Sequence, residues 1–275
     1  MSSSPQQQGA GGPAYRPLAG RRLAAVVAAT VVVAAALGAS AAILAQGSGA
    51  RSSVRTLPGG GLRIHRKVPA LPMLTASGRP ITLAAFRGKV VVLAPFLTLC
   101  SEVCPLTTGA FVQMQHDVDT AGLGGRVVFV EASVDPWRDS PARLMAFVKT
   151  ADITFPLLTG TRQEVAGFWR FFGVGYRRVP QGHPPALDWW THRPQKFDVE
   201  HSDALFVIDP AGYEREIMLG MPGGLQGSLT PELKSLLGRA GRVDLANPQA
   251  AGWTVAGALR NIGQLLGHPI AQRPI

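Results

Sequence analysis

Between Lys89 and Leu97 the chain runs almost unbroken through apolar side chains. A run this short and this apolar reads as a central strand, buried on both faces. Arg126 to Val134 is a second such run. Between them, from Pro105 to Thr120, Leu106, Ala110, Phe111, Met114 and Val118 recur at helical spacing. Ser140-Pro141 supplies an N-cap and a proline at the first helical position, with Leu144, Phe147 and Val148 on one face of the helix that follows. Thr154 to Leu158 reads as a short strand, and Thr161 can cap a helix carrying Val165, Phe168, Trp169 and Phe172. Ala204 to Ile208 and Tyr213 to Leu219 form an antiparallel pair about the turn Asp209 to Gly212. Thr230-Pro231-Glu232 opens a last helix through Leu237.

Pro72 to Leu83 reads as a short hairpin around Gly78, and Gly175 to about Phe197 as a long loop rich in proline and tryptophan. Strand, helix, strand, helix, then an antiparallel hairpin and a terminal helix make an α/β fold of the thioredoxin-like plan. It is a central mixed sheet flanked by helices. The folded domain is expected over residues 68–238. The tail, 239–275, holds an apolar stretch around Trp253 to Leu266 that suits a docking helix, but its structure is not set by pattern alone.

Ahead of this domain, Leu23 to Ala45 is an uncharged run rich in Ala, Val and Leu. At ~1.5 Å per residue it reaches about 35 Å, enough to cross a hydrocarbon layer of roughly 30 Å. Residues 1–22 are then a disordered cytoplasmic leader, 23–45 a transmembrane anchor with Arg21-Arg22 on its inner side, and 46–67 a tether. The body is expected outside the cytoplasm at the cell membrane, where a disulfide can persist. A cleaved signal peptide is the rival, although its apolar region is usually shorter. The net charge is +10. No dense basic stripe interleaved with aromatics carries it, which argues against nucleic acid and for a milder attraction to anionic lipid or an acidic protein surface.

Only two cysteines occur, Cys100 and Cys104, in Thr98-Leu-Cys-Ser-Glu-Val-Cys104-Pro105, directly after the first buried run. A strand followed by a turn and a helix places Cys104 at a helix N-terminus, where free N–H groups and the dipole favour a thiolate. Residues four apart in a helical turn bring their Cα atoms to about 6 Å, within the range of a disulfide. Two thiolates also suit Cu(I), and an added imidazole accommodates Cu(II) or Zn(II). Inert buried thiols and a plain structural disulfide are the bland alternatives. Of six histidines, His65 falls in the tether, His268 in the tail and His116 three turns along the helix. His183 and His192 are in the long loop. His201 stands just ahead of a core strand, where it can be either a ligand or an ordinary strand-entry residue.

Several segments together resemble the SCO/SenC family, copper proteins involved in cytochrome c oxidase assembly. The cysteine motif Thr98 to Pro105 does so, as do Val134-Asp135-Pro136-Trp-Arg-Asp139-Ser-Pro141, Val199-Glu-His201-Ser202 with Phe206-Val-Ile-Asp209-Pro210, and Leu83 to Val90. The resemblance implies a thioredoxin-like domain binding one copper, Cu(I) or Cu(II), per chain through Cys100, Cys104 and His201. Asp135 matches a family aspartate near the site and would tune it from behind the ligands. Departures are Ser101 after the first cysteine where proline is usual, Pro95 interrupting the strand leading to the motif, and a segment Arg177 to Gln195, an N-terminal leader and a tail after Gly238 that are longer than expected.

Two functions follow from the resemblance. One is a membrane-tethered copper metallochaperone, not an enzyme, that passes copper to the acceptor subunit of cytochrome c oxidase and draws on a copper donor. The other is a thiol–disulfide reductase that keeps acceptor cysteines reduced for metallation with the help of a thiol reductant. A peroxiredoxin-like peroxidase is a third, but the threonine-rich, single-cysteine setting of such peroxidases is missing.

Overall fold

The computed structural model describes residue 57 and residues 59–225, 229–247 and 251–273, all within the unit Val54–Ile275. In chain order the strands are β1 (Leu62–Lys67), β2 (Met73–Thr75), β3 (Pro80–Ile81), β4 (Val90–Phe96), β5 (Val127–Ser133), β6 (Leu157–Thr159), β7 (Tyr176–Val179), β8 (Asp198–His201), β9 (Ala204–Ile208), β10 (Tyr213–Leu219), β11 (Pro222–Gly223) and β12 (Trp253–Thr254). The helices are α1 (Val103–Thr120), α2 (Pro141–Ala151), α3 (Arg162–Phe172), α4 (Pro231–Leu236), α5 (Arg239–Ala246) and α6 (Val255–Leu266), with a 3-10 turn at Leu83–Phe86.

Eight strands form one sheet in the order β1-β10-β9-β4-β5-β6-β2-β3. All seven residues of β4 are buried, as its apolar run demands. It runs parallel to β5, from Val90 opposite Val127 to Phe96 opposite Ser133, and antiparallel to β9, with Leu93 opposite Phe206. β5 continues in parallel to β6, and β9 folds back on β10. The core order β10-β9-β4-β5, with α1 joining β4 to β5 and α4 following β10, is the thioredoxin-like plan.

Local chemistry sets the helix ends. The Ser140 hydroxyl accepts from Arg143 N–H, with Pro141 at the first helical position of α2. Thr161 and Glu164 form a reciprocal capping box on α3, which stops at Gly173 in the left-handed region. α3 buries Trp169 and Phe172 against Phe206 of β9, with Phe168 packed on both of them. The Trp169 indole N–H donates to the Ser133 carbonyl (2.8 Å), so the ring is buried without an orphan donor.

Three expectations change, and one point left open is filled in. Pro95 lies inside β4 and does not interrupt it; pairing with β9 ends at Leu93, leaving β5 as the partner beside Pro95, so its missing N–H disrupts no ladder on the other side. Leu62–Lys67, read as tether, is the edge strand β1 on β10, and His65 stacks on Tyr213 with ring centroids 4.7 Å apart. The start of the long loop, Tyr176–Val179, is β7, paired antiparallel with β8. The tail docks: α6 buries Val255, Ala258, Leu259 and Ile262, while the Asn261 amide accepts from Gly59 N–H (3.1 Å) and donates to the Gly60 carbonyl (3.0 Å).

The leader (1–22), the anchor (23–45) and most of the tether lie outside the described residues. Among the described residues, no helix is long and apolar enough to cross a membrane.

Candidate metal centre

The cysteine turn begins where β4 ends. Cys100 N–H donates to the Leu97 carbonyl (3.2 Å), closing the turn, and α1 starts at Val103 with Glu102 as its N-cap residue. Glu102 makes no side-chain cap bond, so the first N–H groups of α1 are not used up by a cap. One of them, Cys104 N–H, donates to Cys100 Sγ at 3.3 Å. Cys104 itself is buried (2% exposed), whereas Cys100 is half-buried, and the two are not joined by a disulfide.

His201 is the last residue of β8, opposite Tyr176 of β7. Its Nδ1 lies 3.2 Å from the Ser202 carbonyl and 3.4 Å from Asp203 Oδ1. Both are acceptors, so in the neutral ring Nδ1 holds the proton and Nε2 keeps the lone pair. Nε2 points to the thiols, 3.7 Å from Cys104 Sγ. The two sulfurs and one imidazole nitrogen all fall within 4.8 Å of one another, and this is the one such group among the described residues.

Charge is unevenly shared. The hydrogen bond with Cys104 holds the Cys100 thiol well below its ordinary pKa against the opposing effect of burial, helped by His201. Burial pushes Cys104 well above its ordinary pKa, and the Cys100 charge adds to this. For His201, burial acts downward but is outweighed by the Cys100 hydrogen bond and the Asp203 charge, so its pKa is raised. The two thiols are therefore unequal: Cys100 is the one biased toward the thiolate, Cys104 the one biased toward the thiol.

A buried carboxylate anchors the turn from below. Asp139, 3% exposed, accepts from the Thr98 hydroxyl (2.6 Å), the Thr98 N–H (3.3 Å) and the Ser133 hydroxyl (2.6 Å). Desolvation and the neighbouring Asp135 raise its pKa to about 7. Asp135 pairs with Arg138, which reaches on to Gln195 and the Phe197 carbonyl. Asp135 is thus tied to the segment entering β8, and it is not in the three-donor group. From above, Trp189 of the 175–197 segment donates its indole N–H to the Thr98 carbonyl (2.7 Å). A bidentate Arg143–Asp188 pair fixes that segment on α2.

An open cleft of about 460 Å³ is lined by Gly175, Tyr176, Arg177, Glu200, His201 and Ser202. A larger hollow of about 680 Å³ runs along α6 and holds none of the donors. His116, His183 and His192 are exposed and apart from the group. Asp139 and Trp189 were not singled out from sequence. Asp139 sits inside the Val134–Pro141 motif, which was its only signal; nothing local distinguishes Trp189 from Trp190.

A family model described as SCO1/SenC matches residues 68–220. The mouse mitochondrial SCO2 homolog is 28% identical over 140 residues, 51% of this chain and 51% of its own. A Mycobacterium tuberculosis protein named as a peroxiredoxin is 29% identical over 118 residues, covering 42% of this chain and 70% of that one. Yeast Sco1 with copper bound matches with a TM-score of 0.45 at 23% identity, over 57% of this chain and 80% of that one. The chain spans about half the length of the SCO relatives it matches. With its family model covering more than half of the residues, from the first core strands through the histidine strand, the chain belongs to the SCO1/SenC family.

Proposed function

We propose that this protein binds copper as cargo through Cys100, Cys104 and His201 and passes it to the copper centre of cytochrome c oxidase. The observation that carries the reading is the convergence of two thiols and an imidazole lone pair within 4.8 Å. Two soft sulfurs and one imidazole are a donor set suited to copper. Three protein ligands leave room for an incoming ligand, so an acceptor thiolate or imidazole can enter before a donor leaves. The half-buried Cys100 and the open cleft beside His201 favour such an approach. Asp203 fixes the imidazole's tautomer, and Asp135 acts at a distance by holding Arg138 under the β8 entry.

The same reading places the domain, residues 68–238, on the extracytoplasmic side of a membrane, held by an anchor at 23–45, with 239–275 as an extension of the domain. Leu23 to Ala45, uncharged and of spanning length, supports it.

A second reading is favoured by the unequal thiols. Cys100, with its lowered pKa, would attack a disulfide in a metal-acceptor protein, and Cys104 would resolve the mixed disulfide. The test is Cu(II) titration of the reduced full chain in detergent, followed by visible absorption, beside His201→Ala. Thiolate-to-copper bands that saturate at one copper and are lost or reshaped in the variant are the expected result. Oxidation to a Cys100–Cys104 disulfide with no copper retained, and identical behaviour in the variant, would move the assignment to the reductase.

A further inference from the structure

Two glycines at the junction of the domain and its C-terminal extension, Gly238 and Gly241, press on the backbone between the cysteines. Gly238 N–H donates to the Ser101 carbonyl at 2.8 Å. A Cβ at Gly241 would stand 2.7 Å from the Ser101 carbonyl oxygen and 2.9 Å from that of Glu102. A Cβ at Gly238 would stand 2.9 Å from Ser101 Oγ. Neither glycine has a positive φ, so it is close approach and not backbone freedom that asks for glycine here. Both lie beyond the residues matched by the family model. The segment is firmly seated: Leu233 and Leu237 are buried on one side, and Arg242 donates to the Leu237 carbonyl on the other.

We propose that Leu237–Gly241 is a strap that holds the Cys100–Cys104 turn in its dithiol geometry, with Gly238 and Gly241 as positioning residues for the pair. The turn it grips is three residues long. Closing a disulfide brings the sulfurs to about 2.05 Å and the Cβ atoms to about 3.8 Å, and the strap acts if the peptides between the cysteines must turn to allow it. A carbonyl pinned from outside by an N–H and backed by a glycine face resists that rotation. The dithiol is thereby favoured over the disulfide, the state in which both sulfurs remain free to ligate or to reduce. The strap rests on the pair being the working site, whether it handles copper or electrons.

The test needs no metal. Full-length protein in detergent is equilibrated with reduced and oxidised glutathione, and the Cys100–Cys104 disulfide is measured after acid quench. Two protein thiols and one glutathione disulfide yield one protein disulfide and two glutathione thiols, and no other cysteine interferes. Gly241→Ala and Gly238→Ala should each raise the oxidation constant roughly five-fold, the worth of one hydrogen bond of this kind. Gly263→Ala in α6 is the matched control. Its Cβ meets the His268 carbonyl at the same 2.7 Å, straining the tail away from the turn, and should leave the constant unchanged. If Gly241→Ala does not fold, Gly238→Ala, which meets a movable hydroxyl, decides. An unchanged constant in the folded strap variants, or an equal shift in Gly263→Ala, overturns the proposal. A failed copper titration with a shifted glutathione equilibrium would sink the copper reading and leave the strap standing.

Discussion

His201 Nε2 lies 3.7 Å from Cys104 Sγ although 97 residues separate them along the chain. β8 ends at His201 while α1 begins beside Cys104, so the contact is made by the meeting of a strand end with a helix start. The imidazole side chain is 6% exposed, and Asp203 backs it. Removing the ring should lower copper affinity by more than about a hundred-fold, beyond the 10–100-fold that loss of an outer partner costs. Asp203→Asn should cost about ten-fold, because the ring stays but its orienting charge goes. His192→Ala, on an exposed loop residue, should change nothing. Competition with a chelator of known affinity orders the three; equal loss in all would refute the assignment.

The thiols should react unequally with an alkylating agent. Cys100 is the more exposed and carries the lowered pKa, so it is modified first and its rate profile has a midpoint well below that of an ordinary thiol. A depressed pKa stabilises the native state above the midpoint and loses that contribution as pH falls through it. His201→Ala should move the midpoint upward, since the imidazole's hydrogen bond and charge help hold it down. Mass mapping of the labelled peptides between pH 5 and 9 reads both effects, and primary labelling at Cys104 would contradict the charge distribution.

Glu131 of β5 is fully buried, accepts among the described residues from the Thr108 hydroxyl (2.9 Å), and has its pKa raised by desolvation to about 8. A raised carboxyl is protonated in the native state, and its stabilisation declines as pH climbs from its ordinary value through the raised one. Glu131→Gln removes that penalty while keeping an acceptor for Thr108. Its advantage in melting temperature over the parent should grow from pH 5 to pH 8.5 by several °C or more, the shift setting an upper limit of roughly 4 kcal/mol. A pH-independent difference in thermal melts would show that Glu131 is not the titrating group.

Asp139 holds the Thr98 N–H and hydroxyl and Trp189 holds its carbonyl, and their loss should be felt two residues on, at Cys100. Asp139→Ala leaves the Thr98 hydroxyl, the Thr98 N–H and the Ser133 hydroxyl without their acceptor, at a cost of about 3 kcal/mol or more. Trp189→Phe keeps the ring's edge contact with Phe147 but removes the N–H to the Thr98 carbonyl, costing about 1 kcal/mol. Denaturant unfolding gives both numbers. Faster hydrogen exchange over Leu97–Cys100 in each variant should accompany them; protection unchanged in both would disprove the anchoring role.

The sequence alone determined what depends on near neighbours. The two apolar runs became β4 and β5, because a short run buried along nearly its whole length suits an interior strand: all seven residues of β4 and six of the seven of β5 are buried. Ser140-Pro141, Thr161 and Thr230 mark helix starts, since a capping side chain bonds to an N–H two or three residues on. The cysteine pair at the head of α1 was readable for the same reason. His201 was open on pattern alone and was raised only by the family resemblance, because a lone histidine at a strand entry has no local sign of its partner.

Only the tertiary structure decided what joins remote segments. β7 pairs with β8 across the 175–197 segment, where no short window of sequence shows the match. Asp139 carried no sign of its role beyond its place in a motif; folding buried it beside Thr98 and raised its pKa. Leu62–Lys67 is a strand because β10 offers an edge, and the extension is ordered because α5 and α6 find the cysteine turn and Gly59–Gly60 to pack on. Periodicity and caps are written in spacings of two to four residues. Sheet order, burial of charge and close backbone approach depend on where the rest of the chain goes, and that is settled only when the core closes.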